Sequence, residues 1–196
     1  MKTNIAVLVS GGGTNLQALI DAHSSGIINS GEIKLVISNN PDAFALERAK
    51  KANIDTCVCN KKELGDKFED ALIETLEKNN IEIIVLAGFM CILSERFTSR
   101  FANRIINVHP SLIPSFCGKG FYGLHVHEAA LEYGVKVTGA TVHFVNEIPD
   151  GGKIIMQKAV YINDDDTPET LQKRVMQEAE WKILPEAVEK VCKELN

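Results

Sequence analysis

The chain has 196 residues, 45% of them hydrophobic, which is enough for a sizeable core and makes one domain over residues 1–196 the expectation. A formal charge of -5 and a pI near 5.6 leave no overall basic surface, so nucleic acid is not an expected partner. A small anion stays open, because a helix N-terminus holds a phosphate without help from net charge.

Residues 5–9, Ile-Ala-Val-Leu-Val, form a continuous apolar run that stops at Ser10-Gly11-Gly12-Gly13, as a strand buried on both faces does at a tight loop. Leu16, Leu19 and Ile20 then recur at helical spacing, which predicts a helix over 15–22 capped by Thr14 or Asn15. A strand over 35–37, a helix over 43–52, a weaker strand over 56–59 and an amphipathic helix over 68–78 follow. Residues 83–87 are the strongest buried strand after the first, and 104–108 are another that delivers His109 at its end. Such alternation implies a Rossmann-like α/β fold, with a mostly parallel sheet and helices on both faces.

The pattern changes after Pro110. Residues 110–123 are rich in proline and glycine and read as a long loop of the kind that carries function, with Phe116 and Phe121 exposed. A helix over 126–133 leads to an alternating strand over 136–145, with Val137, Gly139, Thr141 and His143 on one face. Residues 153–162 lie past the turn Pro149-Asp150-Gly151-Gly152 and complete an antiparallel C-terminal hairpin at the sheet's edge. Asp164-Asp165-Asp166 reads as a solvated loop feeding a cap, and the last helix, over 168–193, is expected to break near Pro185, which lacks a backbone donor.

The five cysteines, Cys57, Cys59, Cys91, Cys117 and Cys192, are odd in number and scattered, against a disulfide framework and for a reducing compartment. Cys57 and Cys59 lack a second ligand pair at metal spacing, so no metal is expected. The first apolar run is too short for a signal peptide, and nothing approaches the roughly 20 apolar residues of a membrane helix, so a cytoplasmic location with no membrane partner is expected. No feature of the chain indicates an oligomeric state.

Ser10 to Asn15 close the first strand and open the first helix, where backbone N–H groups favour a phosphate; the same glycines would equally serve a plain tight turn. A dinucleotide fingerprint is excluded, since Leu16 stands where its third glycine belongs and the second strand ends in Ser38-Asn39-Asn40 without an acidic residue. Asn107 and His109 share one face at the end of a buried strand. Asn can donate to a developing oxyanion and His can move a proton, a pair suited to acyl transfer, although polar residues there could also merely cap the sheet. His143 reads as a packed or supporting histidine, and Asp150 by itself as a turn residue.

Taken in order, Ser10 to Asn15, Leu86-Ala87-Gly88-Phe89-Met90, Asn107 to Pro114 and Asp150-Gly151-Gly152 resemble the phosphoribosylglycinamide formyltransferase family of purine synthesis, over almost the whole chain. The resemblance implies the formyltransferase fold and transfer of the formyl group of 10-formyltetrahydrofolate, a co-substrate, to the amine of glycinamide ribonucleotide. It implies Asn107, His109 and Asp150 as the catalytic trio, with Asp150 raising the pKa of His109. It also implies Gly13, Thr14 and Asn15 at the substrate phosphate, and Gln177 and Glu180 near the ribose and glycinamide. Folate is implied along Met90, Cys91, Ile92 and Leu93, with Asn107, Glu147 and Asp150 also at its site. Cys91 stands where arginine is common in the family, and residues 117–123 are longer than in its compact members. Formyltetrahydrofolate hydrolase and methionyl-tRNA formyltransferase share the trio, but carry additional domains for which 196 residues leave no room; a non-catalytic nucleotide-binding module would leave the trio idle.

Overall fold

A computed structural model describes residues 1–195. The strands are β1 (Thr3–Val9), β2 (Gly31–Ser38), β3 (Asp55–Val58), β4 (Ile83–Leu86), β5 (Ile105–His109), β6 (Val137–Phe144) and β7 (Ile154–Tyr161). They form one sheet in the order β3-β2-β1-β4-β5-β6-β7. The pairs from β3 to β5 are parallel, while β6 pairs antiparallel with both β5 and β7. The expected Rossmann-like sheet and its antiparallel hairpin are both present.

The helices are α1 (Thr14–Ser24), α2 (Phe44–Lys51), α3 (Lys61–Leu64), α4 (Phe68–Lys78), α5 (Glu95–Arg100), α6 (Leu124–Tyr133), α7 (Pro168–Val175) and α8 (Trp181–Leu195). Alternation along β1 sorts the core into two layers, because successive strand side chains point to opposite faces. Ile5, Val7 and Val9 pack with residues of α1, α2, α7 and α8, while Ala6 and Leu8 pack with Phe68, Leu72 and Leu76 of α4 and with Phe97.

Three short elements escape the sequence reading: α3, the 3₁₀ turn Gly65–Lys67, and α5. Each is too short to show a hydrophobic period. Local side chains stabilise two of them, as Asn60 accepts from the N–H of Lys62 and Ser94 from that of Phe97.

The C-terminal helix is broken earlier than expected. Pro185 lies inside α8, and the irregularity is the π-helical turn Met176–Glu180 between α7 and α8. Proline's missing donor costs the carbonyl of Trp181, which directly follows that wide turn. The acidic run also departs from expectation: Asp164 and Asp165 are exposed, but Asp166 turns in to pair with Arg174, beside the capping box of Thr167 and Thr170. Among the described residues, no helix is long and apolar enough to cross a membrane.

Leu72 is fully buried in the α4 layer. Leu72→Ala is expected to destabilise the fold by about 2–5 kcal/mol, the range for a truncated core leucine. Urea unfolding should show a lower midpoint with an unchanged m-value; a midpoint that does not move would place Leu72 outside the cooperative core.

Candidate functional site

β1, β4 and β5 lie side by side and end at the same level, as Leu8 pairs with Leu86 and Leu86 with Asn107. Ligands of open α/β sheets bind outside these carboxyl ends, and here the polar side chains gather.

Asn107 and His109 project from one face of β5, and the register sets Asn107 opposite His143 and His109 opposite Thr141. The Asn107 amide nitrogen lies 3.2 Å from His143 Nε2, and His143 Nδ1 donates to the carbonyl of Phe144 at 2.8 Å. While His143 is neutral, its bare Nε2 accepts one amide hydrogen of Asn107 and leaves the other for a ligand; when protonated, its Nε2–H can donate to Asp150 instead. Asp150 arrives from the β6–β7 turn in the left-handed region, φ 56°. Its Oδ1 is 3.5 Å from His143 Nε2, and its Oδ2 is 3.6 Å from His109 Nδ1. Gly118 N–H donates to the same Oδ2 at 2.8 Å, and His109 Nε2 donates to the Phe116 carbonyl at 2.9 Å. The glycine-rich loop thus lies over the trio.

The electrostatics follow from burial and partners. Burial alone would raise the Asp150 carboxyl, but His143, His109 and the Gly118 N–H together hold it below the usual carboxylate range. Burial pushes His109 below the ordinary imidazole value; Asp150 and the Phe116 carbonyl pull it upward, and His143 pushes it further down. Asp150 acts in the expected direction, yet the net shift is downward because desolvation outweighs it.

A second cluster lies at the end of β1. Gly13 is the N-cap of α1 with φ 72°, and no side chain caps the helix. The expected capping by Thr14 or Asn15 does not occur, because the helix starts one residue earlier and both lie inside its first turn, where the Asn15 amide donates to Glu180 Oε2 at 2.8 Å. This leaves the first N–H groups of α1 available to an anion. A Cβ at Gly13 would approach Ala45 Cβ to 2.6 Å, so glycine is required by packing as well as by φ. The loop is braced by Arg48, whose Nε donates to the Gly12 carbonyl at 2.8 Å. Glu180 is buried, and its pKa is pushed up by burial to about 7 against the Asn15 hydrogen bond. Gln177 lies on the same π turn with its side chain exposed.

The expected folate segments stand near these clusters in the chain but differ in character. Met90 and Ile92 are exposed, and Met90 N–H donates to Ser10 Oγ at 2.8 Å. Cys91 is half-buried and accepts from Asn39 Nδ2 at 2.9 Å. Leu93 is a core residue of the α4 layer, so only its backbone is placed to meet a ligand. Glu147 and Ile148 are exposed on the turn that carries Asp150.

Two histidines do more than the local sequence shows. His143 is the link that joins Asn107 to Asp150, a role that only the β5–β6 register could disclose. His127 on α6 is fully buried, its ring nitrogens have no recorded hydrogen-bond partner, and burial with the nearby His109 drives its pKa down to about 4. Among the described residues, no group of three or more His, Cys, Asp or Glu is placed to hold a metal.

An open α/β sheet with Asn, His and Asp converging beyond its strand ends defines an enzyme-like site suited to proton transfer and to stabilising an oxyanion formed at a carbonyl. Residues 3–188 match the formyl transferase family, and the chain belongs to it. It is 45% identical over 183 residues to phosphoribosylglycinamide formyltransferase of Haemophilus influenzae, covering 92% of this chain and 83% of that protein. The trifunctional purine biosynthetic protein adenosine-3 of Gallus gallus is 45% identical over 193 residues, 97% of this chain, which spans only 18% of that protein's length. The crystal structure of glycinamide ribonucleotide transformylase 1 from Symbiobacterium toebii superposes with a TM-score of 0.91 at 40% identity, covering 98% of this chain and 89% of that one.

The lowered pKa of His127 has a sign. The unfolded histidine binds a proton near pH 6.5 and the folded one only near 4, so stability falls as pH drops through that window. His127→Leu should flatten the stability–pH slope between these limits by about one proton's worth. Denaturant midpoints measured across the window check this, and an unaltered slope would contradict it.

Proposed function

We propose that this chain transfers the formyl group of 10-formyltetrahydrofolate to the primary amine of glycinamide ribonucleotide, yielding formylglycinamide ribonucleotide and tetrahydrofolate, in de novo purine (IMP) synthesis. The observation that carries this reading is the convergence of Asn107, His109 and Asp150 beside the open N-terminus of α1. The near-full-length likeness to the Haemophilus influenzae enzyme supports it.

In this reading Gly13, Thr14 and Asn15 hold the phosphate through backbone N–H groups at the helix end. Glu180, bonded to Asn15, accepts from the ribose hydroxyls, and Gln177 reaches the same end of the substrate. The folate lies along residues 90–93 and the turn containing Glu147. Its ring is flanked by the exposed Met90, Ile92 and Ile148, and its pterin edge is read by backbone groups.

The chemistry follows from the tautomer. With Nε2–H committed to the Phe116 carbonyl, neutral His109 presents its lone pair at Nδ1. The substrate amine attacks the formyl carbon, and the free amide hydrogen of Asn107 stabilises the developing oxyanion. Nδ1 takes the proton released by the nitrogen nucleophile, and the imidazolium is stabilised by Asp150. That proton then passes to the folate nitrogen as the tetrahedral intermediate collapses, so His109 ends as it began. A cytoplasmic setting belongs to the same proposal and is supported by five cysteines, none in a disulfide.

His109→Ala and Asp150→Ala are each expected to lower turnover by about 10²–10⁴-fold with the fold intact. The assay mixes 10-formyltetrahydrofolate with glycinamide ribonucleotide beside a control lacking the acceptor. Formate release in the control at the full rate would instead identify a hydrolase, and near-normal transfer by either variant would remove the trio from the mechanism.

Glu180 gives a separate test. Its raised pKa means that its contribution to fold stability is present below about pH 4.5 and lost as pH rises through about 7, where its burial as an anion opposes folding. Ribonucleotide affinity should move oppositely, rising as the carboxylate forms. Calorimetry on Glu180→Gln should show weaker ribonucleotide binding with a smaller rise across that pH range and folate binding retained; an unchanged ribonucleotide Kd would displace Glu180 from the site.

A further inference from the structure

Phe116 occupies an unusual position. Its φ of 47° lies in the left-handed region, which bulky residues rarely adopt unless their surroundings hold them there. Here the surroundings are aromatic: the Phe116 ring meets Phe121 edge-on at 6.3 Å between centroids and Tyr133 at 5.9 Å. Those separations are typical of favourable edge contacts.

This backbone conformation has a chemical consequence. The Phe116 carbonyl accepts from His109 Nε2 at 2.9 Å, and two residues later Gly118 N–H donates to Asp150 Oδ2 at 2.8 Å. That oxygen is the one facing His109 Nδ1 at 3.6 Å. A single turn of the loop therefore addresses both members of the His–Asp pair. A carbonyl can only accept, so it keeps a hydrogen on Nε2, and in the neutral ring Nδ1 is then the bare nitrogen.

We propose that Phe116 is a positioning residue: its left-handed backbone, braced by Phe121 and Tyr133, aims the carbonyl that fixes His109 as the Nε2–H tautomer with Nδ1 turned to Asp150 and the reacting centre. Its kinetic consequence rests on the formyl-transfer reading, but the tautomer does not. The other titratable groups about His109 are Asp150, His143 and His127, with the Cys117 thiol near Asp150. Asp150 faces Nδ1 at 3.6 Å, and the loop carbonyl bonds Nε2 at 2.9 Å.

Two substitutions separate backbone aim from ring packing. Asn tolerates the left-handed region, whereas a β-branched Val resists it. Nitrogen-15 imidazole shifts of the free protein should report the Nε2–H tautomer for His109 in the unsubstituted chain and in F116N, and its loss in F116V. Turnover in F116V should fall about 10²-fold, the scale of a misaimed catalytic group, with KM values little changed and the pH–kcat profile displaced. F116N should recover most of that loss. Tyr133→Ala, at a residue 81% exposed, repeats the test without touching position 116 and is expected to weaken the tautomer preference in part.

An Nδ1–H tautomer in the unsubstituted chain, or an unchanged tautomer in both F116V and Y133A, overturns the proposal. Equal loss in F116N and F116V also overturns it, because ring packing alone would then be at work. The resonance measurement needs no substrate, so the expected tautomer in a protein that fails to transfer formyl would defeat the functional reading and leave this one standing.

Discussion

Asp150 places a carboxylate between two imidazoles, 3.5 Å from one and 3.6 Å from the other, with its side chain only 14% exposed. A buried charge without partners costs several kcal/mol, so this carboxylate constrains everything around it. His143 must stay at its β6 position, Gly118 must offer its N–H from the loop, and the β6–β7 turn must accept a left-handed Asp. Asn107 is then held in place through His143. The trio is a network assembled around one anion rather than three independent residues.

The network also explains why the loop over residues 110–123 is ordered against the sheet. Thr141 Oγ donates to the Ser111 carbonyl at 2.6 Å and accepts from Ile113 N–H at 3.0 Å, while Gln157 reaches the Ile113 carbonyl at 3.0 Å. These bonds come from β6 and β7, the same hairpin that brings His143 and Asp150. The antiparallel hairpin therefore both supplies His143 and Asp150 and positions the loop covering them. Its tight corner admits no side chain at Gly152, where a Cβ would lie 1.7 Å from the Phe144 carbonyl.

At the other cluster the decisive feature is the π turn. A π turn adds a residue to the helical repeat, so the spacing of side chains slips and one of them points where a regular helix would not send it. Here that side chain is Glu180, turned into the interior to meet Asn15. Its burial raises its pKa, and the open N–H groups of α1 lie beside it. One irregularity in the last helix thus completes the site begun by the first loop.

Much of this was legible in the residues alone. Apolar runs at 5–9 and 83–87 dictated buried parallel strands, the glycines after Val9 dictated a tight strand–helix turn, and alternation through Asn107 and His109 placed both on one face. Those are local consequences of sterics and periodicity, which a chain carries wherever it is read. Asp150 is locally only a turn residue and joins the pair only through family resemblance, His143 reads as a supporting histidine whose partner no spacing reveals, and no local pattern marks His127. What they do depends on strand register, burial and electrostatic competition between distant segments, which no local pattern encodes. The net downward shift of His109 is the clearest case: the sequence supplied the carboxylate that pulls upward, but only the packed tertiary structure decided that desolvation would outweigh it.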